Sequence, residues 1–379
     1  MCAVLFTAAL LYIGAKGSAG EWRYEIQQKI LRSAEEMYMP GLVYLDREPP
    51  PDMGDWMKEK ALSWLPLVSY VEDHAVYGST LEDEETIAKI LESQANEENV
   101  VDENGRLVGE PDESEAAVEE TVSTVDMSIE KLRDFDYLLS NFYTVDSSTM
   151  IGPEQLNADD LLARDMTINN EEEGPKVLIF HTHSQEEFVD STPGDPATSI
   201  VGVGEYLTEL LNERGIETIH DTGVYDIIDG KLDRSNAYEN AEASIRPILE
   251  ANPTIEVAID LHRDGVAEGT HLVTEINGKP TAKIMYFNGL SRSRTNGDIE
   301  YLYNPYIQDN LAFSLQMQLA SERAYPGFTR HIYLRAYRYN LHLLPKSLLI
   351  EAGAQTNTVE EMMNAMEVLA DILCDVIEE

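Results

Sequence analysis

From Lys176 onward, short apolar runs alternate with longer stretches in which apolar residues return every three or four positions. "VLIF" (177–180) is a run of strand length at the head of "VLIFHTHSQEEF" (177–188). In "VGVGEYLTELLNERG" (201–215), Val203, Tyr206, Leu207, Leu210 and Leu211 have helical spacing, and Gly215 is placed to end the helix. The pattern then predicts a strand at 216–220, a helix at 235–253 and a strand at 255–262. Asn277-Gly278 within 271–289 predicts a hairpin, because both turn positions must adopt a left-handed backbone. A helix at about 306–323, a strand-like "TRHIYL" (329–334), a strand "SLLIE" (347–351) and a helix at 357–379 complete the chain. Strand–helix–strand units with one hairpin predict an α/β fold: a mixed, mostly parallel sheet with helices on both faces.

The first third reads differently. Cys2 to Ala15 is apolar and is followed by Lys16, which suggests the outer part of a membrane anchor, with a signal-peptide core as the alternative. Residues 21–39 have the pattern of an amphipathic helix, and "REPPPD" (47–52) breaks the chain. Residues 81–120 hold 15 Asp or Glu against only Lys89 and Arg106. So few apolar residues among so much charge predict a disordered spacer. The expected organisation is therefore a partial anchor (1–18), a helical juxtamembrane segment (19–75), an acidic spacer (76–125) and a catalytic domain (126–379).

Charge narrows the function. A net charge of −43 repels phosphate backbones, so nucleic acid is excluded as a partner. Cys2 and Cys374 cannot make a disulfide framework. "VGVGEY" (201–206) lacks the glycine spacing of a nucleotide-binding turn.

What remains is at the ends of strands, where open α/β sheets place their sites. Three predicted strands end in His181, His262 and Glu351. A catalytic zinc site uses three nitrogen or oxygen ligands and one open position, and two histidines with one glutamate is a common set. His181 and His262 supply the nitrogens, and Glu186 or Glu187 the carboxylate. Glu351 is then left to move a proton between water and a departing amine.

The motifs "VLIFHTHSQEEF", "AIDLHRDG" (258–265), "TEINGKPTAKIMYFNG" (274–289) and "YRYNLHLLPKSLLIEAGAQTNT" (337–358) resemble the stage II sporulation protein P family of endospore-forming bacteria. The resemblance runs from about Lys131 to the end. It implies a fold and activity similar to zinc-dependent N-acetylmuramoyl-L-alanine amidases, which cut the amide joining peptidoglycan glycan to its stem peptide. By that pattern His181, Glu186 and His262 would hold zinc, with Glu186 preferred to Glu187 by its H-T-H-x-x-E spacing, and Glu351 would be the catalytic carboxylate. The resemblance also implies cleavage of stem-peptide cross-links and a place in engulfment. It implies a mother-cell membrane location facing the forespore, and stage II sporulation proteins D and M as partners. A non-catalytic peptidoglycan scaffold and a carboxypeptidase-like metallohydrolase are the competing readings.

Four further residues are expected to touch substrate or steady the ligands. His183 lies two residues past His181 and shares its face while the strand persists. Arg263 suits a peptide carboxylate or an oxyanion, and Asp264 or Asp260 could orient a ligand imidazole. Gln355 could donate to a peptide, whereas Asn357 suits the cap of the last helix. His220, His271, His331 and His342 are expected to be structural.

Overall fold

The computed structural model describes residues 125–267 and 269–378. The expected anchor, the juxtamembrane helix and all of the spacer but its last residue lie outside the described residues. No helix among the described residues is long and apolar enough to cross a membrane.

Two short helices, α1 (Ile129–Leu132) and α2 (Phe135–Phe142), lead into β1 (Tyr143–Val145) and α3 (Ala158–Leu162). Then follow β2 (Val177–Phe180), α4 (Ile200–Glu213), β3 (Thr218–His220), the small hairpin β4 (Ile227–Ile228) and β5 (Lys231–Leu232), and α5 (Ala237–Ala251). The second half runs β6 (Val257–Asp264), hairpin β7 (Val273–Ile276) and β8 (Lys279–Ala282), β9 (Ile284–Gly289), and hairpin β10 (Arg292–Ser293) and β11 (Gly297–Asp298). It ends with α6 (Ile307–Ala324), β12 (Ile332–Arg335), β13 (Lys346–Ala354) and α7 (Val359–Glu378).

The main sheet has seven strands in the order β1-β12-β9-β13-β6-β2-β3. Every neighbouring pair is parallel except β9–β13. That exception has a local cause. A parallel return needs a crossover of a dozen or more residues, usually a helix, to carry the chain back across the sheet. Between β6 and β9 there is only the β7–β8 hairpin, so β9 starts at the edge where β6 stops. The hairpin turns as its sequence requires, with φ of 53° at Asn277 and 77° at Gly278. It is pinned to α7 by Asn364 Nδ2 donating to the Pro280 carbonyl at 2.8 Å.

Both faces of the sheet are covered, unequally. One face carries α2, α3, α4, α6 and α7 over the largest apolar core. The other carries α5 and residues 337–344 over two smaller clusters. Along the strands the two sets alternate strictly. Val177, Ile179, Val257, Ile259, Leu261, Leu348 and Ile350 enter the large core. Leu178, Phe180, Ala258 and Leu349 enter the smaller clusters. The fully buried Val203, Leu207 and Leu211 of α4 contribute about 1.5–3 kcal/mol each to holding that helix on the large-core face.

The helix ends follow local chemistry. Gly215, at φ 89°, closes the turn after α4. The cap of α7 is Thr358, not Asn357. Thr358 Oγ1 accepts from the Glu361 N–H at 3.2 Å while Glu361 Oε2 accepts from the Thr358 N–H at 3.0 Å, a reciprocal capping box. Asn357 instead accepts from the Ala354 N–H and donates to the Leu272 carbonyl, tying the end of β13 to the approach to β7.

Candidate functional site

Asp260, His262 and Glu351 share one face, because successive strand residues alternate and Glu351 pairs in register with His262. It is the α5 face. His181 continues the alternation of Val177 and Ile179 and so lies on the other face, against α4. Its Nδ1 lies 2.7 Å from the Leu261 carbonyl and its Nε2 2.9 Å from His220 Nε2. His220 Nδ1 is in turn 2.8 Å from Glu205 Oε2. A Cβ on Gly204 would lie 2.5 Å from His181 Nε2, so α4 can pass this ring only as glycine. Burial, and then the neighbouring His220, push the His181 ring down to about 4, which keeps it uncharged.

The expectation that His181, Glu186 and His262 meet is therefore corrected by the geometry. The residues that come together are His183, Glu186 and His262, with one ligand atom of each within 4.8 Å of the others. The cause is where β2 stops. The strand ends at Phe180, and the chain turns before His183. Two buried carboxylates hold that turn. Asp260 accepts from the Thr182 N–H at 2.8 Å and its hydroxyl at 2.6 Å. Asp226 accepts from the Ser184 hydroxyl at 3.1 Å and the Gln185 N–H at 3.4 Å. His183 is thereby carried to the face of His262, and the two rings pack edge to face with centroids 5.0 Å apart. Tyr238, from the first turn of α5, closes the other side of His183 at 5.7 Å.

All three clustered residues are buried, with His183 and His262 1% and Glu186 3% exposed. Glu186 Oε1 lies 3.7 Å from His183 Nδ1, and its Oε2 lies 3.9 Å from His262 Nδ1. Oε2 also accepts from the Arg263 N–H at 2.8 Å. Burial opposes the charge on Glu186, but the two imidazoles and Arg263 outweigh it and hold the carboxyl at about 2. Burial likewise opposes a charge on His262, yet the carboxylates of Asp260, Glu186 and Glu351 lift its ring to about 10. His262 Nε2 lies 2.8 Å from Asp260 Oδ1, with Nδ1 on the side of Glu186.

This donor set suits a divalent metal. Two imidazoles and a carboxylate are a common zinc set, and a carboxylate against the far nitrogen of one ligand is the usual support. His183 Nε2 is buried with no hydrogen-bond partner among the described residues, a donor position left unspent. The cluster could bind a metal ion, and Glu351, 2% exposed, stands on the next strand opposite His262. After Glu351 the register of β13 slips, with Gly353 at φ 57° taking the left-handed position. A Cβ there would lie 2.6 Å from Met362 Sδ.

The other expected contacts are differently employed. Arg263 Nε donates to the Glu187 carbonyl at 2.9 Å and Nη1 to the Asp264 carbonyl at 3.1 Å, bracing the loop that carries Glu186. Asp264, expected to steady a ligand ring, has an arginine and a backbone amide among its partners. It pairs with Arg330 at 2.5 Å and accepts from the Gly265 N–H, and Asp260 takes the supporting place. Gln355 accepts from the Val266 N–H at 3.0 Å and donates to the Val266 carbonyl, so both ends of its amide go to backbone. His271 pairs with Glu361 and His342 with Glu242. The reading of single strands misses Asp226, Tyr238 and Arg234. Arg234 Nη2 approaches Glu186 Oε1 at 3.5 Å from the turn before α5. Nothing in the spacing of these residues marks them, because they reach the cluster from a separate crossover.

The class is thus a mixed α/β sheet carrying a buried His–Glu–His cluster, on β6 and the loop after β2, that could bind a metal ion. Comparison with known proteins then identifies the family: a model described as stage II sporulation protein P matches residues 66–374, and the chain belongs to that family. The curated stage II sporulation protein P of Bacillus subtilis (strain 168) is 24% identical over 214 residues, covering 52% of this chain and 50% of that protein. The chain thus spans half the length of that relative. Among solved structures it is similar to the CwlD amidase of Clostridioides difficile in complex with the GerS lipoprotein. That likeness has 17% identity and a TM-score of 0.30, covering 53% of this chain and 99% of the other. It is also similar to the apo N-acetylmuramyl-L-alanine amidase Ami1 of Mycobacterium abscessus. There the identity is 14% and the TM-score 0.32, covering 53% of this chain and 98% of the other. Scores this low add nothing to the topology described above.

Proposed function

We propose that the protein is a zinc-dependent peptidoglycan hydrolase that cuts the amide between N-acetylmuramic acid and L-alanine. The observation that carries this reading is the buried His183–Glu186–His262 cluster with Glu351 opposite His262 in register. Family membership supports the cell-wall substrate, through the resemblance of the family to the zinc amidases.

In this reading His183, Glu186 and His262 hold the metal, with His183 in the place first expected of His181. Zinc bound there supplies Lewis acidity, polarising the amide carbonyl and lowering the pKa of water. The Glu351 carboxylate takes the proton from the attacking water and delivers it to the departing amide nitrogen, leaving a muramyl carboxylate and a free stem peptide. Asp260 keeps the His262 ring in one orientation throughout, and the turn of Thr182 to Gln185 keeps His183 beside it. A buried cluster also limits competing water, which strengthens every charge interaction at the reacting amide.

The setting that goes with the family is engulfment during endospore formation. The N-terminal segment would anchor the chain in the mother-cell membrane with the catalytic domain outside the cytoplasm, and stage II sporulation proteins D and M would be its partners. Cleavage of stem-peptide cross-links is a second activity the same cluster would serve.

Digestion of purified sacculi by the zinc-loaded full chain, with products identified by mass, tests the reaction. The expected products are free stem peptides, and Glu351→Gln should slow their release by about 10²–10⁴-fold while zinc stays bound. Trimmed peptides from sacculi would replace the amidase with a carboxypeptidase-like enzyme, and unchanged sacculi would leave a scaffold.

A further inference from the structure

Two arginines lie against Glu186 or its loop, and a third pairs with Asp264, two residues past His262; two of the three are committed. Arg263 is spent on the Glu187 and Asp264 carbonyls, and Arg330 is paired with Asp264. Arg234 is different. Its only close partner among the described residues is Glu186 Oε1, at a loose 3.5 Å, and its Nε is buried with no hydrogen-bond partner. Its side chain is 23% exposed, so the guanidinium lies between the buried cluster and solvent.

The position is set by its turn. Asp233 accepts from the Ser235 N–H at 3.0 Å and hydroxyl at 2.7 Å, and the Asp233 N–H donates to the Asp226 carbonyl at 2.8 Å. Asp226 also holds the His183 turn, so Arg234 and His183 are fixed to one buried residue. Its Nη2 approaches the same Glu186 oxygen that faces His183. If Glu186 serves a metal, the guanidinium loses most of the charge it leans on, and its partly exposed end is left for another anion. A planar guanidinium is matched to a carboxylate, which it grips through two parallel hydrogen bonds. On a chain of net charge −43, a local cation favours the approach of an anionic substrate.

We propose that Arg234 contacts the substrate, taking a free carboxylate of the stem peptide as the peptide leaves the cluster, and so selects acidic over amidated stems. This inference rests on the peptidoglycan reading above. Calorimetric titration of the zinc-loaded full chain with L-alanyl-γ-D-glutamyl-diaminopimelate, with free or amidated carboxylates, tests it without turnover. Wild type should bind the free acid tighter than the amide by roughly 10–100-fold, the scale of one charge-assisted contact. Arg234→Gln should bind both forms as wild type binds the amide, and Arg234→Lys should keep part of the preference. A wild type indifferent to amidation, or an Arg234→Gln chain that keeps the preference, overturns the proposal. Failure of Arg234→Gln to fold leaves the decision to wild type and Arg234→Lys. The sacculus digestion reports separately: an acid preference without cleavage upholds Arg234 as a peptide contact and sinks the hydrolase reading alone.

Discussion

Replacing His183 by Ala, with His181→Asn as its control, separates the two histidines of "HTH" by what each touches. Structural zinc sites with four ligands release about 10–16 kcal/mol at neutral pH, or roughly 3 kcal/mol per ligand. Since 1.4 kcal/mol is a factor of ten, loss of His183 should weaken zinc by about 100-fold or more. His181 has another task. It is fully buried, and its ring nitrogens face the Leu261 carbonyl and His220. Asn at 181 can still donate to Leu261 but abandons His220 and leaves space against α4, which costs about 2–4 kcal/mol. Equilibrium dialysis of the full chain against buffered zinc, beside thermal unfolding of the metal-free chain, reads both effects. His181→Asn should keep zinc affinity within about threefold and lose roughly 5–10 °C in Tm. A folded His181→Asn chain that no longer binds zinc, or a His183→Ala chain that binds as wild type does, would refute the assignment.

Two other residues give independent tests. Asp260→Asn removes the charge beside His262 Nε2 and should cost about 10–100-fold in zinc affinity by chelator competition, whereas affinity within twofold of wild type would deny Asp260 its supporting role. Glu242, one turn after Tyr238 on α5, carries a pH prediction. Burial opposes its charge, but His342, Arg246 and Arg338 hold its carboxyl at about 2, below the ordinary 4.5. Because its folded value is depressed, its stabilisation is complete above pH 4.5 and is lost as pH falls towards 2. Urea unfolding should find Glu242→Gln less stable than wild type by about 1–3 kcal/mol at pH 7, with the gap shrinking as pH drops below 4.5. A gap that does not vary with pH would refute the pairing.

Periodicity carried most of the fold. The helices at 201–215, 235–253, 306–323 and 357–379 appear as α4, α5, α6 and α7 with their ends displaced by a few residues. The Asn277-Gly278 turn closed the hairpin expected of it. The antiparallel β9–β13 pair was half visible, since no crossover helix fits between β6 and β9. Glu186 and His262, singled out by residue type, do come together, and Glu351 stands opposite His262, although β6 and β13 run on past His262 and Glu351 to Asp264 and Ala354. What failed was the face of His181. A strand buried on both sides shows no polar–apolar alternation, so nothing in "VLIFHTH" says which face each position takes. That information lies in the register with β6, where Phe180 pairs with Asp260 and the alternation therefore sets His181 apart from His262. The turn that returns His183 to the cluster is held by Asp226 and Asp260, 42 and 78 residues along the chain from the groups they hold. A local reading cannot supply such partners.

Burial does not separate His181 from His262, because the two are equally enclosed. Their company does. At His181 burial is the larger cause and the neighbouring imidazole adds to it, while a backbone carbonyl offsets too little, so the ring is pushed down to about 4. Around His262 stand Asp260, Glu186 and Glu351, and the ring is lifted to about 10. Three carboxylates in a dry interior are costly unless positive charge joins them. A proton on His262 meets part of that demand, and a dication shared with His183 and Glu186 would meet more of it. The carboxylates therefore sort the histidines: the ring among acids is the one placed to share a metal ion, and the other ring packs between the sheet and α4.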